Sequence, residues 1–409
     1  MKKILKKAIL FSFVLLFICL SFPANNVAVA GSDAMQYDLV WKIINSKYLD
    51  QTNNGQNWNR WRHKYDSKIK TPEDAYVAID TMVASLNDHY TRFVPPKEFA
   101  EEQNMIKGSL FGIGVQIGAR NGKILVISPI EDTPGERAGI LPEDEILAID
   151  GVSTKDMTVD KAADRIRGEK GTTVKLLIKR KGVPDKTYSI VRDEITIKSI
   201  SVKLPENFKL DDKLGYIRIS SFMGKNSGND FEKELINLKN KEGIIIDLRA
   251  NSGGLLSNAI QIADMFLDNS YIVSTVDRDG YKETSKSRRN YISEQPMVVL
   301  INKGSASASE ILSGALKDNQ RALLIGENTF GKGLVQEVKP LTPYGSGLNI
   351  TIQKYLTPNG TDINKKGIAP DIEVKITEEN IKNKDDVQLK KAQAVLLQMI
   401  ENEKTSSNF

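Results

Sequence analysis

A chain of 409 residues exceeds what one ordinary core organises, so two or more domains are expected. Its 40% hydrophobic and 27% charged residues are those of a packed globular protein and exclude a fibrous or disordered chain. Setting aside four N-terminal lysines leaves 53 basic against 52 acidic residues, a net of +1, so there is no electrostatic case for nucleic acid; the lone Cys19 rules out an internal disulfide.

Residues 1–30 have the parts of a secretory leader. Lys2, Lys3, Lys6 and Lys7 precede an apolar run from Ala8 to Phe22, and Ala28-Val29-Ala30 offers a small-x-small cleavage site. The run is short for a bilayer span, though an uncleaved anchor remains the alternative. Cys19 follows the bulky Ile18, unlike a lipid-attachment cysteine.

Residues 31–103 read as a helical region: Val40, Ile43 and Ile44, then Ala75, Ile79, Met82, Val83 and Leu86, recur at helical spacing, with a break at Asn53-Asn54-Gly55. Either a cap or dimerisation arm, or plain packing, fits that pattern. Residues 104–192 turn to short strands with glycine punctuation, at Gly114–Ile117, Ile124–Ser128 and Thr173–Lys179, and a short helix at Thr158–Ile166.

From 193 to 379 strands and helices alternate, as in an α/β domain. Strands are expected at Leu214–Ile219, Ile244–Leu248, Met297–Ile301 and Ala322–Ile325, and helices at Asp230–Leu238, Leu256–Phe266 and Ser309–Lys317. The tail, 380–409, carries an amphipathic helix over Asp386–Glu401.

The only histidines, His63 and His89, lie in the N-terminal region, far in sequence from the glycine-rich turns of the α/β domain. That argues against a Ser-His-Asp triad. There is no H-E-x-x-H, and without cysteine beyond the leader a zinc site is not expected. A hydrolase made from these residues must pair Ser or Thr with Lys, or use two carboxylates.

Three segments carry chemistry. In V-V-L-I-N-K-G-S-A-S-A-S-E-I-L-S-G-A-L-K, Val298–Lys317, a buried strand and a tight turn lead into a helix, which exposes a serine where free N–H groups and the helix dipole favour negative charge. Ser307-Ala308-Ser309-Glu310 is equally a capping box, which needs no catalysis. In A-L-L-I-G-E-N-T-F-G-K-G-L-V-Q-E-V, Ala322–Val338, Lys332 sits between glycines ahead of a strand, on the same side as Leu334, Gln336 and Val338. Gln336 can orient its amine.

At its ordinary pKa roughly one lysine in 2,500 is neutral at pH 7, and making the amine a working base costs about 4 kcal/mol of charge solvation. Apolar Phe330 and Leu334 and the flanking glycines suit that desolvation. A solvated loop lysine is the plain alternative. The third segment, I-I-I-D-L-R-A-N-S-G-G-L-L from Ile244 to Leu256, is a strand, glycine turn and helix; Gly253 and Ala308 N–H groups are the candidate oxyanion donors. Gly326–Lys332 also reads G-x-x-x-x-G-K, but Gly333 stands where a P-loop has Ser or Thr, and a strand follows instead of a helix.

Together these segments resemble the carboxy-terminal processing peptidases, or tail-specific proteases, over nearly the whole chain past the leader. The resemblance rests on G-S-A-S-A-S-E-I at 304–311, G-E-N-T-F-G-K-G-L-V-Q at 326–336 and D-L-R-A-N-S-G-G at 247–254, with F-G-I-G-V at 111–115, Pro134–Gly151 and T-P-N-G at 357–360. It implies Ser307 as nucleophile, Lys332 as general base, Gln336 beside it, and Gly253 and Ala308 as oxyanion donors; the spacing to Lys332 selects the middle serine of S-A-S-A-S. It also implies an α+β multidomain fold: an α/β crotonase-like or ClpP-like protease core, an inserted PDZ domain, and helical N- and C-terminal segments.

The PDZ loop would be Phe111, Gly112, Ile113, Gly114 and Val115, whose N–H groups capture a terminal carboxylate while the peptide adds as a strand. Arg167, at the end of the PDZ helix, is a candidate for coupling peptide occupancy to catalysis. Two places depart from the family pattern: Ser252 replaces a common proline, and Asn359–Gly367 differs in form. Neither is expected to touch the dyad.

The implied enzyme is an exported serine endopeptidase without cofactor or metal. It would act outside the cytoplasm, secreted or at the outer membrane face, on proteins with apolar C-terminal tails. A homodimer and a membrane-associated regulatory protein are the partners such a chain admits. Two rivals differ in class: a catalytically silent PDZ peptide-binding adaptor, and a fold relative of acyl-CoA hydratases, which would need contacts to CoA.

Overall fold

A computed structural model describes residues 30–106, 109–120, 122–130, 133–141, 143–196, 199–205, 208–288 and 291–406. The leader expected at 1–30 lies outside these except for Ala30. Among the described residues no helix is long and apolar enough to cross a membrane.

The N-terminal region comprises α1 (Ala30–Lys47), α2 (Pro72–Ala84), strand β1 (Arg92–Val94) and α3 (Pro96–Ile106). Helix α2 starts where its sequence says it should. Pro72 follows the Thr71 N-cap, and Thr71 and Asp74 close a reciprocal capping box, worth about 1 kcal/mol. Val40 and Ile44 of α1 meet Ile79 and Met82 of α2 over Leu348 and Ile350 of a distant strand. The region is therefore not purely helical. Strand β1 pairs antiparallel with that same strand, Arg92 opposite Asn349 and Val94 opposite Gly347.

A second unit follows, with β2 (Ser109–Gly112), β3 (Val115–Arg120), β4 (Lys123–Pro129), α4 (Pro134–Arg137), β5 (Glu145–Ile149), β6 (Val152–Ser153), α5 (Val159–Ile166), β7 (Thr173–Lys179), β8 (Lys186–Val191) and β9 (Asp193–Thr196). Strands β2 and β9 pair antiparallel, Phe111 opposite Glu194, so the chain enters and leaves side by side, as an inserted unit must. Its own core gathers Ile124, Val126, Ile146, Ile149, Ala162, Val174, Leu176 and Ile178. Thr158 caps α5 by accepting from Lys161 N–H.

The largest unit contains β10 (Ile200–Ser201), β11 (Leu214–Ile219), α6 (Ser227–Asn237), β12 (Gly243–Asp247), α7 (Leu256–Asp264), β13 (Tyr271–Asp277), β14 (Lys282–Lys286), β15 (Met297–Ile301), α8 (Ala308–Asp318), β16 (Leu323–Gly326), β17 (Leu334–Leu341), β18 (Ser346–Leu356), β19 (Ile372–Glu373), α9 (Glu378–Lys382) and α10 (Val387–Ser406). One sheet runs β10-β11-β12-β15-β16-β19, parallel except at β10. Parallel strands are covered on both faces, which is why β12 and β15 read as unbroken apolar runs.

Ile244, Ile246, Val299 and Ile301 face α6, α7 and α8, while Ile245, Val298 and Leu300 face Leu389, Ala392 and Leu396 of α10. Each fully buried isoleucine contributes about 1.5–3 kcal/mol relative to exposure. The other sheet is antiparallel. The long β18 carries β17 on one side and β1 then β13 on the other. The turns that leave the C-terminal ends of β12 and β15 open toward this sheet, where parallel α/β folds place their sites.

Candidate active site

The turn after β12 is held by its own polar residues. Asp247 is fully buried, bridged by Arg249 at 2.8 Å and Arg218 at 3.2 Å and bonded by the Tyr216 hydroxyl at 2.9 Å. These partners hold its carboxyl below the usual range against the opposing effect of burial. Arg249 also grips Asp386, at 2.7 Å, just ahead of α10. Asn251 is fully buried. Its Nδ2 donates to Ile219 O at 2.8 Å, its Oδ1 accepts from Gly253 N–H at 2.9 Å, and its carbonyl accepts from Ala306 N–H at 3.0 Å and the Ser309 hydroxyl at 2.8 Å.

Gly253 must be glycine. Its φ is +103°, and a Cβ there would stand 2.7 Å from Ala306 O and 2.9 Å from Ser307 Cβ.

The second turn, after β15, presents the serine. Asn302 Oδ1 accepts from Ala250 and Gly304 N–H at 2.9 and 3.0 Å, which ties the two turns together. Ser305 and Ser309 are fully buried and donate to Leu248 O and Asn251 O, both at 2.8 Å. Ser307 alone of the three serines reaches the adjoining cavity. It sits at φ 54°, ψ −113°, a region costly to any residue with a Cβ, of order 1–3 kcal/mol. This elbow lifts the side chain at the start of α8. The Ala308 N–H, first in that helix, has no partner among the described residues.

Lys332 arrives on the loop between β16 and β17. Gly331 and Gly333 flank it because Asn364–Gly367 runs against them: a Cβ at Gly331 would be 2.9 Å from Gly367 N, and one at Gly333 2.7 Å from Asn364 N. The variant stretch Asn359–Gly367 thus packs against the glycines beside Lys332, and Ser252 lines the cavity.

Glu310 joins the serine turn to the lysine loop. It is fully buried and accepts from Ser307 N–H at 2.8 Å, Lys332 N–H at 2.9 Å, Gly331 N–H at 2.7 Å and the Thr329 hydroxyl at 2.6 Å. The S-x-x-E pattern gave only its capping role. That one carboxyl would hold both turns was not legible locally.

Ser307, Ala308, Lys332, Gln336 and Gly253 all line one cavity of about 400 Å³. No hydrogen bond joins the Ser307 hydroxyl to the Lys332 amine in this geometry, and among the described residues the amine has no ion pair. Burial pushes the Lys332 pKa down, while Asp88 and Glu310 pull the other way. Phe330 does not supply that burial, being 57% exposed. The wall comes instead from Leu334 and from Tyr90 of the N-terminal region. Gln336 lies on the cavity side with Leu334 and Val338, but its amide reaches only Thr351 Oγ1, at a long 3.5 Å. The Gly253 N–H is engaged by Asn251, leaving Ala308 as the unoccupied donor.

His89 also lines the cavity, despite its distance in sequence, because β1 carries the segment before it onto β18. It has no hydrogen bond to Ser307. His63 stays on the surface beside Asp66.

In the inserted unit, Phe111 and Gly112 end β2, Ile113 is buried, and Gly114, at φ +69°, turns the chain into β3 beginning at Val115. Ile113 O accepts from Gly135 N–H, and Gly114 leaves no space for a Cβ beside Thr133. Arg167 does not line the cavity; it pairs with Glu101 of α3 at 3.1 Å. The next residue, Glu102, is in the cavity wall with Arg92 and Asn349.

A parallel-sheet core with a serine elbow at a helix start, joined to a small β-rich unit inserted ahead of it, defines a serine-type peptidase carrying a PDZ domain. Residues 213–374 match peptidase family S41, and residues 102–179 match the PDZ domain. The chain is 41% identical over 338 residues to the carboxyl-terminal-processing protease of Synechocystis sp., covering 81% of this chain and 78% of that one. It is 38% identical to the carboxy-terminal processing protease CtpA of Bacillus subtilis, over 76% and 67% of the two chains. Among solved structures it resembles the photosystem II D1 C-terminal processing protease at 32% identity and a TM-score of 0.58, covering 84% of this chain and 93% of that one. The chain belongs to the carboxyl-terminal-processing protease family.

Proposed function

We propose that this protein is an exported endopeptidase that cleaves protein substrates presented by their C-terminal tails, with Ser307 as nucleophile and Lys332 as general base. One observation carries the reading: a serine elbow, an Ala308 N–H unpaired among the described residues and a desolvated lysine without an ion pair among them converge on one cavity. Neutral Lys332 takes the Ser307 proton as Oγ attacks the scissile carbonyl. The Ala308 N–H holds the oxyanion, joined by the Gly253 N–H once it turns from Asn251 Oδ1. Lys332 then protonates the leaving amine, and water clears the acyl-enzyme. Gln336 orients the amine. The scheme as written needs neither metal nor cofactor.

Met223, Leu255, Leu256 and Ile311 give the cavity apolar walls, which favours apolar residues at the cleaved bond. The tail would add as a strand along β3 beside α5, its carboxylate met by the N–H groups of 111–115. The division proposed is a leader (1–30), an N-terminal region (31–103), the PDZ domain (104–192), the protease core (193–379) and a C-terminal tail (380–409). Export rests on the leader. A homodimer and a membrane-associated regulator belong to the same reading.

The test is cleavage of unfolded casein by the chain lacking its leader. Ser307→Ala and Lys332→Ala should each abolish cleavage; a Ser307→Ala protein that cuts casein at the parent rate would refute the assignment. Arg167 is the proposed link from the PDZ domain, through Glu101 and Glu102 of α3, to the cavity wall. Arg167→Ala breaks an exposed pair, so the melting temperature should hold while the stimulation of cleavage by a peptide with an apolar C-terminus falls several-fold. An unchanged response to the peptide removes the coupling role.

A further inference from the structure

The structure places Tyr90, from the N-terminal region, directly against the amine proposed as the general base. The Lys332 Nζ lies 4.8 Å from the centroid of the Tyr90 ring, within cation–π range. We propose that Tyr90 is a positioning residue: its ring face holds the Lys332 amine in the cavity and stabilises the charge the amine acquires on taking the Ser307 proton. This rests on the reading of Lys332 as base.

The turn that carries the ring is anchored through its backbone and its neighbour Thr91. Asp88 Oδ1 accepts from Tyr90 N–H at 2.9 Å and Asp88 Oδ2 from the Thr91 hydroxyl at 2.7 Å. Thr91 Oγ1 in turn accepts from Thr351 N–H of β18 at 3.0 Å, and β1 continues the attachment through Arg92 opposite Asn349. Tyr90 is therefore delivered by the same sheet that carries Gln336, and its placement does not depend on a free loop.

The charged and titratable groups around the amine are Asp88 on the tyrosine's own turn, Glu310 of α8, Tyr355 of β18 and His89 at the cavity edge, with Arg92 of β1 and Glu102 of α3, paired at 2.9 Å, farther along the same cavity wall. Asp88 is occupied by its own turn, and Glu310 by N–H groups and a hydroxyl of the two loops; neither hydrogen-bonds the amine. The chemistry favours this arrangement. A carboxylate in contact would keep the lysine charged and useless as a base. An aromatic face attracts the ammonium more weakly and cannot take its proton. Burial, with Asp88 and Glu310 nearby, pushes the Tyr90 phenol's pKa up. In the step itself the Ser307 O–H bond breaks and an N–H bond forms on Lys332, while Tyr90 changes no bond.

The experiment is the pH profile of kcat/KM on a fluorogenic peptide with an apolar C-terminal tail. Losing the ring weakens the ammonium, so in Tyr90→Leu the acid limb should move to lower pH, by about half a unit to one unit. The high-pH plateau should fall about 3- to 10-fold, because the base is weaker. Tyr90→Phe should restore the parent limb, and Tyr90→Trp, with the stronger face, should move it to higher pH. The inference is overturned if the Tyr90→Leu limb overlays the parent, or if activity falls equally at every pH in both the Leu and Phe proteins. If Tyr90→Leu fails to fold, the Trp limb decides alone: an unshifted or lowered limb overturns the proposal. Lys332→Ala separates the two readings. If it retains activity, the base assignment fails; if it is inactive while Tyr90→Leu overlays the parent, only the tyrosine's role fails.

Discussion

Replacing Lys332 with Met should lower kcat/KM by at least about 10³-fold, near the upper range of general-base effects. Lys332→Arg should do no better, since a guanidinium keeps its charge and cannot accept the Ser307 proton. In the parent enzyme kcat/KM should climb as pH rises through a lysine pKa displaced downward, chiefly by burial, from its ordinary 10.5. The same displacement sets a stability effect. The folded-state pKa lies below the unfolded one, so folding is penalised wherever the amine is charged in the unfolded chain. The penalty is full at pH values below the folded pKa and fades as pH approaches the ordinary lysine value. Lys332→Met should therefore melt higher than the parent at neutral pH, with the gap closing in alkaline buffer. Melting curves across pH and kcat/KM on a tailed peptide check both; an active Lys332→Arg protein contradicts the mechanism.

The second large effect belongs to Glu310. All four of its close donors come from the serine turn and the lysine loop, and its side chain is fully buried. Glu310→Ala leaves those donors buried without an acceptor, and each such orphan costs about 1–3 kcal/mol before relaxation. A net loss of about 3–5 kcal/mol is expected, within the range of broken buried networks. Glu310→Gln is the sharper probe. It keeps the volume but turns an NH₂ either toward the Ser307 and Lys332 N–H groups, which share one oxygen, or toward the Gly331 N–H and the Thr329 hydroxyl, which share the other. Its kcat/KM should fall at least about 10²-fold while the protein still folds, because small displacements of two reacting groups are expensive. Calorimetric melting and steady-state kinetics on the same samples separate the effects. A Glu310→Gln protein with parental kinetics would mean the two loops are held in place by other contacts.

Much of this protein was legible along the chain, for a physical reason. Helical spacing marks α2 and α5, near-alternation marks β7, and unbroken apolar runs mark β12 and β15, because each pattern is set by which faces that segment buries. The glycine turns after β12 and β15 likewise depend on local backbone needs, whereas Ser307, Lys332 and Gln336 are singled out by the family resemblance. What only the tertiary structure decided are pairings between distant segments. The antiparallel register of β1 on β18 brings Tyr90 and His89 to the cavity, although nothing near either residue announces it. The ring of donors around Glu310, and the packing of Asn364–Gly367 against the glycines beside Lys332, arise the same way. Hydrogen bonds and close contacts made across the fold leave no period in the sequence, so residues that act through them look ordinary until the sheets close.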